Sequence, residues 1–222
     1  MSGETKVPHR IIKILIVDDH QLIRKGVVSI LDEVRGFQVV AEASNGEEAI
    51  NFAKEFEPDV ILMDIQMPGM GGMEASRKIL RSHPDIRILA LTVCESDIYP
   101  SRLLEEGAAG YITKDSTPDE MIRAIKTVAA GQRYISPNIA QRLALKRFTG
   151  NTASPFEHLS ERELQVMLMI TRGRKVQEIA EILHLSSKTV NTYRYRLFYK
   201  LGVKSDVDLT HLALQHGMIE NI

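Results

Sequence analysis

Up to about residue 131 the apolar positions alternate between short continuous runs and stretches at helical spacing; beyond it only the helical spacing persists. The runs KILIV (13–17), FQVVAEA (37–43), DVILMD (59–64), IRILALT (86–92) and AAGYITK (108–114) are bounded by turn residues and predict strands. Val60, Ile61, Leu62 and Met63 are apolar without interruption, as in a strand buried on both faces of a parallel sheet. Between the runs lie helical patterns. In QLIRKGVVSILDEV (21–34), Leu22, Ile23, Val27, Ile30 and Leu31 share one face, and Gly36 stops the helix. EEAINFAKEF (47–56), GMEASRKILRSH (72–83), SDIYPSRLLEEG (96–107) and PDEMIRAIKTVAAG (118–131) predict four more, the last opened by Thr117 and Pro118 and closed by Gly131. Five such alternations predict an α/β doubly wound sheet, in flavodoxin-like strand order 2-1-3-4-5.

SPNIAQRLALKRF (136–148) predicts a connector helix, and GNTASPFEH (150–158), rich in small and polar residues, a linker. Four helices then follow, at 159–173, 175–185, 186–203 and 205–217. Ser160 with Glu163 three residues on is a capping box for the first of them. The chain therefore divides into an α/β domain (11–133), a connector helix and linker (134–155) and an all-α four-helix domain (156–222).

Candidate chemistry gathers at the strand ends. In the 2-1-3-4-5 order the first and third strands are neighbours, so Asp18, Asp19 and Asp64 converge on one sheet edge, where open α/β sheets bind ligands. Each like-charge pair at ~4 Å costs roughly 4 kcal/mol at an effective dielectric of ~20, which calls for a cation. An all-oxygen set of this kind suits Mg²⁺, which takes further oxygens from water and phosphate. Thr92 ends the fourth strand and Lys114 the fifth. Three acids, a hydroxyl and an amine make a phosphoryl-transfer set with Asp64 as nucleophile, since carboxylates form acyl phosphates. A Mg²⁺ phosphatase is the enzymatic alternative, but Gln66 stands where its second acid is needed.

Net charge is −1 overall yet asymmetric: residues 1–133 hold 16 Lys+Arg against 21 Asp+Glu, and residues 134–222 hold 12 against 8. An acidic half tethered to a basic half suggests different partners. We expect the acidic domain to restrain the basic one, by covering the helix from Lys188 to Lys200 or by blocking the pairing of two copies. The single cysteine, Cys94, excludes an intramolecular disulfide framework and fits a reducing cytoplasm. No apolar stretch approaches membrane-spanning length, so no membrane partner is expected. Between Ile182 and Ser205 there are five Lys or Arg and no acids. A short helix, a turn and a second helix bearing cations and amides is the helix-turn-helix design, which reads DNA in the major groove. Its candidate contacts are Lys188, Thr189, Asn191, Thr192, Tyr195, Arg196 and Lys200. Cations there would hold phosphates, while Asn191 and Thr192 would read base edges.

The series VDDH, LMDIQMPGMGG, LTV and GYITK resembles the receiver domain of two-component response regulators. LSERELQV with KTVNTYRYRLFYKLGV resembles the LuxR-type helix-turn-helix domain of the NarL/FixJ family, and the whole chain is most similar to the GacA/UvrY subgroup. The resemblance implies Asp64 as phosphoacceptor, and Asp18, Asp19, Asp64 and the Gln66 backbone carbonyl as ligands of Mg²⁺. It implies Thr92 and Tyr111 as switch residues and Lys114 as the phosphate-contacting lysine. It also implies a transcription factor rather than an enzyme, although the receiver would catalyse its own phosphoryl transfer and autodephosphorylation. The implied partners are a BarA/GacS-like sensor histidine kinase, promoter DNA (including promoters of small regulatory RNAs), RNA polymerase and, once phosphorylated, a second copy of the chain.

Overall fold

The computed structural model describes residues 11–92, 98–148, 154–216 and 218–219, the side chains at 92, 98, 99, 101, 142, 143 and 146–148 excepted. Cys94 lies outside the described residues. Strands β1 (Ile12–Val17), β2 (Phe37–Ala43), β3 (Val60–Asp64), β4 (Arg87–Thr92), β5 (Gly110–Thr113) and β6 (Tyr134–Ile135) form one parallel sheet in the order 2-1-3-4-5-6. Helices α1 (Gln21–Asp32), α2 (Gly46–Phe56), α3 (Gly72–Ser82), α4 (Ile98–Glu105) and α5 (Pro118–Ala129) connect the first five strands and follow the fifth.

The central strands explain the doubly wound form. Ile14, Ile16, Val60, Leu62, Leu89 and Leu91 face a core shared with α1 and α5, through Val27, Leu31, Met121, Ile125 and Val128. Their alternates Leu15, Val17, Ile61, Met63, Ile88 and Ala90 face the opposite core with Ala49, Ala53, Met73, Ile79 and Leu103. Side chains alternate across a strand, so a run apolar at every position must be covered on both faces. Helix starts are fixed locally: Asn45 Oδ1 accepts from Glu48 N at 2.8 Å, and Thr117 Oγ1 from Glu120 N at 3.3 Å.

Two segments differ from the sequence expectation. Tyr134 and Ile135, placed in the connector by composition, pair with Gly110 and Tyr111 and extend the sheet. A Cβ at Gly110 would stand 2.5 Å from the Tyr134 carbonyl oxygen, so the glycine admits this strand. Pro155–His158, placed in the linker, forms a 3₁₀ turn closed by Ser154 and Glu157, with Phe156 fully buried. Helix α6 (Pro137–Phe148) leads to it.

The second domain contains α7 (Glu161–Thr171), α8 (Val176–Ile182), α9 (Ser187–Leu201) and α10 (Asp206–Gln215). Helix α9 packs on α7 and α8, and α10 on α7. Val190 and Leu197 of α9 are buried with Leu164, Met167, Ile179 and Leu209. His184 adopts φ 52° in the α8–α9 turn, and Gly202 ends α9 at φ 67°.

The two domains are in contact. Arg162 Nη1 donates to the Gly69 carbonyl, Gly69 N donates to the Ile182 carbonyl at 3.3 Å, and Glu74 N donates to Glu161 Oε1 at 2.9 Å. Arg102 donates to the Phe156 carbonyl at 2.8 Å, tying α4 to the 3₁₀ turn. The helical domain thus rests by α7 and α8 on the loop that follows Asp64.

Candidate functional site

Asp18 and Asp19 leave the end of β1, Asp64 ends β3, and Lys114 follows β5. The register Ile14↔Val60 through Val17↔Met63 brings the two acidic strand ends side by side. Asp64 is 2 % exposed and Asp18 fully buried. The Lys114 ammonium lies 2.6 Å from Asp18 Oδ2 and 2.7 Å from Asp64 Oδ2. The remaining oxygens are held locally: Asp64 Oδ1 accepts from Gln66 N at 2.9 Å, and Asp18 Oδ1 from His20 N at 2.8 Å.

Burial pushes the Asp64 carboxyl up to about 6, with the Asp18 charge adding to the rise; Lys114 and the Gln66 amide pull the other way. Burial also works against the Lys114 charge, but the two acids more than offset it and raise its pKa. A carboxylate so desolvated is a stronger nucleophile than one in water, and the ammonium beside it is placed to meet the charge of an incoming phosphoryl group.

The site also fits a divalent cation. Asp18, Asp19, His20 and Asp64 each present a ligand atom, all within 4.8 Å of one another. Asp18 Oδ2 and Asp19 Oδ1 are buried without a well-formed hydrogen bond, although Lys114 and His20 lie within ion-pair distance. Two buried carboxylate oxygens in that condition are suited to a hard cation. His20, whose Nδ1 lies 2.9 Å from Asp19 Oδ1, was not singled out by sequence; its place directly after the acid pair was the only signal.

Thr92 ends β4 opposite Thr113, as its place at a strand end requires, and its hydroxyl is among the side chains outside the description. Tyr111 is fully buried in the core on the α3 side of the sheet, so its ring is already inward. Gln66 presents Oε1 to Arg172 of the helical domain at 3.4 Å, and its Nε2 is buried without a partner. A cavity of about 490 Å³ lies between Asp64, Gln66 and Lys114 on one side and Gln165, Met169 and Arg172 on the other.

The candidate DNA face is the solvent side of α9. Lys188, Thr192, Tyr195 and Arg196 are exposed there, so docking of the two domains leaves this face open. This corrects one of the two expected modes of restraint: the α/β domain sits on α7 and α8, not on the outer side of α9. Asn191 and Thr189 are half-buried, and Thr189 shares its hydroxyl with the Ser186 cap at 2.8 Å. Lys200 turns to the bundle, 2.7 Å from Glu163 and 3.3 Å from the His158 carbonyl. Arg194 forms a two-pronged pair with Asp206, 2.7 Å at each contact. Tyr199, 90 % exposed, stands beside Tyr195 and Arg196 on the open face and was not among the expected contacts. Its i, i+4 spacing from Tyr195 was the available signal.

Residues 14–126 match the family described as response regulator receiver domain, and residues 157–213 the family described as bacterial regulatory proteins, luxR family. The response regulator GacA of Pseudomonas syringae pv. syringae (strain B728a) is 58 % identical over 210 residues, 94 % of this chain and 98 % of the relative. The response regulator UvrY of Escherichia coli (strain K12) is 52 % identical over 208 residues, 93 % and 95 % of the two chains. A structure of the RcsB response regulator of Salmonella typhimurium superposes with a TM-score of 0.71 at 25 % identity, over 94 % of this chain and 99 % of that one. RcsB from Salmonella enterica serovar Typhimurium bound to promoter rprA in the presence of phosphomimetic BeF₃⁻ gives a TM-score of 0.66 at 25 % identity, over 91 % and 98 %.

Proposed function

Because the chain belongs to the two-component response regulators that join a receiver domain to a LuxR-type DNA-binding domain, we propose that a sensor histidine kinase phosphorylates it on Asp64 and that the phosphorylated form regulates transcription. The observation that supports this most directly is the Lys114 ammonium held between Asp18 and Asp64, beside buried carboxylate oxygens that suit a cation.

In this reading an Asp64 oxygen attacks the phosphorus of a phosphohistidine. The N–P bond breaks, the imidazole leaves, and a carboxyl–phosphoryl anhydride forms. Asp18, Asp19, Asp64 and the Gln66 backbone carbonyl would hold Mg²⁺, which supplies charge neutralisation at the phosphoryl oxygens. Lys114 then exchanges a carboxylate partner for a phosphoryl oxygen, Thr92 receives a second one, and Tyr111 packs behind Thr92. New charge-assisted bonds of this kind order a segment.

The output is DNA binding by two copies of α9, with RNA polymerase as downstream partner and activation as the outcome. Likeness to GacA and UvrY supports a kinase of the BarA/GacS type and promoters of small regulatory RNAs as targets. Among the described residues no helix is long and apolar enough to cross a membrane, and the proposed place of action is the cytoplasm.

Intact mass after incubation with acetyl phosphate and Mg²⁺ tests the phosphorylation. The wild type gains one phosphoryl group and Asp64→Asn gains none, because an amide does not attack. Normal labelling of that variant removes Asp64 from the role.

A further inference from the structure

The cavity of about 490 Å³ beside Asp64 has walls from both domains. Its volume falls within the range of small-molecule sites, roughly 300–1,000 Å³. Asp64 and Lys114 stand on the receiver wall, and Arg172, directly after α7, stands on the wall of the DNA-binding domain. Arg172 is exposed, and among the described residues its guanidinium has one hydrogen-bond partner, Gln66 Oε1 at 3.4 Å. A neutral acceptor at that distance is a weak hold for a fork of five N–H donors. The acids of the lining do not take up the remainder. Asp64 is engaged by Lys114 and the Gln66 amide, Asp19 by His20, and Glu161 by the Glu74 amide. The cavity thus holds a cation with donors to spare, facing the nucleophile from the other domain.

We propose that Arg172 is a catalytic residue for one class of phosphodonor, the small acyl phosphates, and that the docked DNA-binding domain completes their site. The proposal deepens the reading of Asp64 as phosphoacceptor and rests on it. Phosphoryl transfer places the attacking and leaving atoms roughly in line with phosphorus. With Asp64 attacking from the receiver wall, the leaving group points across the cavity to the wall that carries Arg172. An Asp64 oxygen forms the new bond to phosphorus. The bond from phosphorus to the acyl oxygen breaks, and its electron pair departs with the carboxylate. In a loose transition state that oxygen already bears much of the charge. A carboxylate is also the shape that a planar guanidinium matches with two parallel hydrogen bonds. Lys114, held by Asp18 and Asp64 on the near side, meets the phosphoryl oxygens instead. Met67, Leu168 and Met169 give the cavity an apolar lining for the acyl methyl group.

The charge of the leaving group makes this contribution separable from every other. Acetyl phosphate releases acetate, an anion. Phosphoramidate carries a proton on its nitrogen, so when its N–P bond breaks it releases neutral ammonia, which a guanidinium does not stabilise. Losing one hydrogen bond to a charged group slows a step about tenfold or more, and the exposure of Arg172 places it at the low end. A loss confined to acyl phosphates therefore reads Arg172 at the leaving group. Such a loss also requires docking, because Arg172 belongs to the other domain.

The test uses the full-length chain with Mg²⁺ and follows phosphoryl uptake by intact mass against time. Acetyl phosphate and phosphoramidate are compared at one pH and one ionic strength. Arg172→Ala should label about tenfold more slowly than the wild type with acetyl phosphate and at the wild-type rate with phosphoramidate. Arg172→Lys, which keeps the charge without the fork, should fall between the two with acetyl phosphate. Wild-type labelling of Arg172→Ala by acetyl phosphate overturns the proposal. Equal slowing with both donors also overturns it, because Arg172 would then act through the loop after Asp64 and not on the leaving group. A wild type labelled by phosphoramidate alone overturns the acyl phosphate site and leaves Asp64 as phosphoacceptor. A wild type labelled by neither donor overturns Asp64 in that role, and the proposal with it.

Discussion

The Lys114 ammonium lies 2.7 Å from Asp64 Oδ2 and, by its 2.6 Å approach to Asp18, serves as shared counter-ion for two buried acids. Removing it leaves like charges facing each other with no cation between them. Lys114→Ala should cost about 3–5 kcal/mol in Mg²⁺-free urea denaturation, as loss of one member of a buried ion pair does. Added Mg²⁺ should restore more stability to the variant than to the wild type. An equal Mg²⁺ response would mean that the ammonium and the metal do not serve the same charges.

The loop after Asp64 is held open by a backbone contact. Gly72 donates to the Ile65 carbonyl at 3.2 Å, and a Cβ on Gly72 would come 1.9 Å from the Asp64 carbonyl oxygen. The obstacle is backbone, so the loop must move. Gly72→Ala should destabilise the receiver by about 1–3 kcal/mol and slow phosphoryl uptake from acetyl phosphate, read as mass gain with time. Wild-type kinetics would show that the loop position is unimportant to Asp64.

The receiver fold was readable because its strands are apolar at consecutive positions and end in the chemistry-bearing residues. β6 escaped because two residues carry no period, and the 3₁₀ turn escaped because Pro155 and Ser154 belong equally to linkers and to capped turns. The acid cluster was legible from strand order alone, but the bridging place of Lys114 needed the side chains. Contacts such as Arg162 to Gly69, 93 residues apart, leave no local pattern at all. For the same reason Lys200 reads as a DNA contact in sequence, while its partner Glu163 lies on another helix.

Glu163 closes the capping box of α7, accepting from Ser160 N at 2.7 Å, and also holds Lys200. Burial opposes its charge, but Lys200 and the Ser160 groups prevail and hold its pKa below the ordinary 4.5. Its stabilising effect is therefore present above 4.5 and lost as pH falls through the lowered value. Glu163→Gln should cost about 1–2 kcal/mol at pH 7, and the gap to the wild type in urea midpoints should narrow toward pH 3. A gap constant with pH would assign the loss to packing.

On the open face of α9, Lys188→Ala should weaken binding to every DNA sequence and lower the salt slope by about one unit. Asn191→Ala should cost roughly 1–3 kcal/mol on the cognate site only. Equal losses on cognate and random DNA would remove Asn191 as a reader of bases.

Docking leaves Lys188, Thr192, Tyr195 and Arg196 exposed, which favours a restraint on DNA binding that acts on the pairing of two copies over one that acts on a single copy's contact with DNA. Gly71→Ala separates these possibilities. The atoms nearest its Cβ would be side-chain atoms of the DNA-binding domain, Gln165 foremost, so it should loosen docking while leaving the phosphoacceptor acids in place. The atoms displaced are the ends of the flexible Gln165 and Glu161 side chains, so the crowding is worth at most about 1 kcal/mol, about fivefold in the docked-to-open ratio. On DNA carrying a single half-site, the unphosphorylated wild type and Gly71→Ala should bind alike, because each already presents α9. On two inverted half-sites about one helical turn apart, Gly71→Ala should bind more tightly, and phosphorylation should narrow the difference. Fluorescence anisotropy on the two DNAs at one salt concentration reads all four affinities. Tighter binding of the variant on the single half-site would show that docking hinders α9 itself, despite the open face.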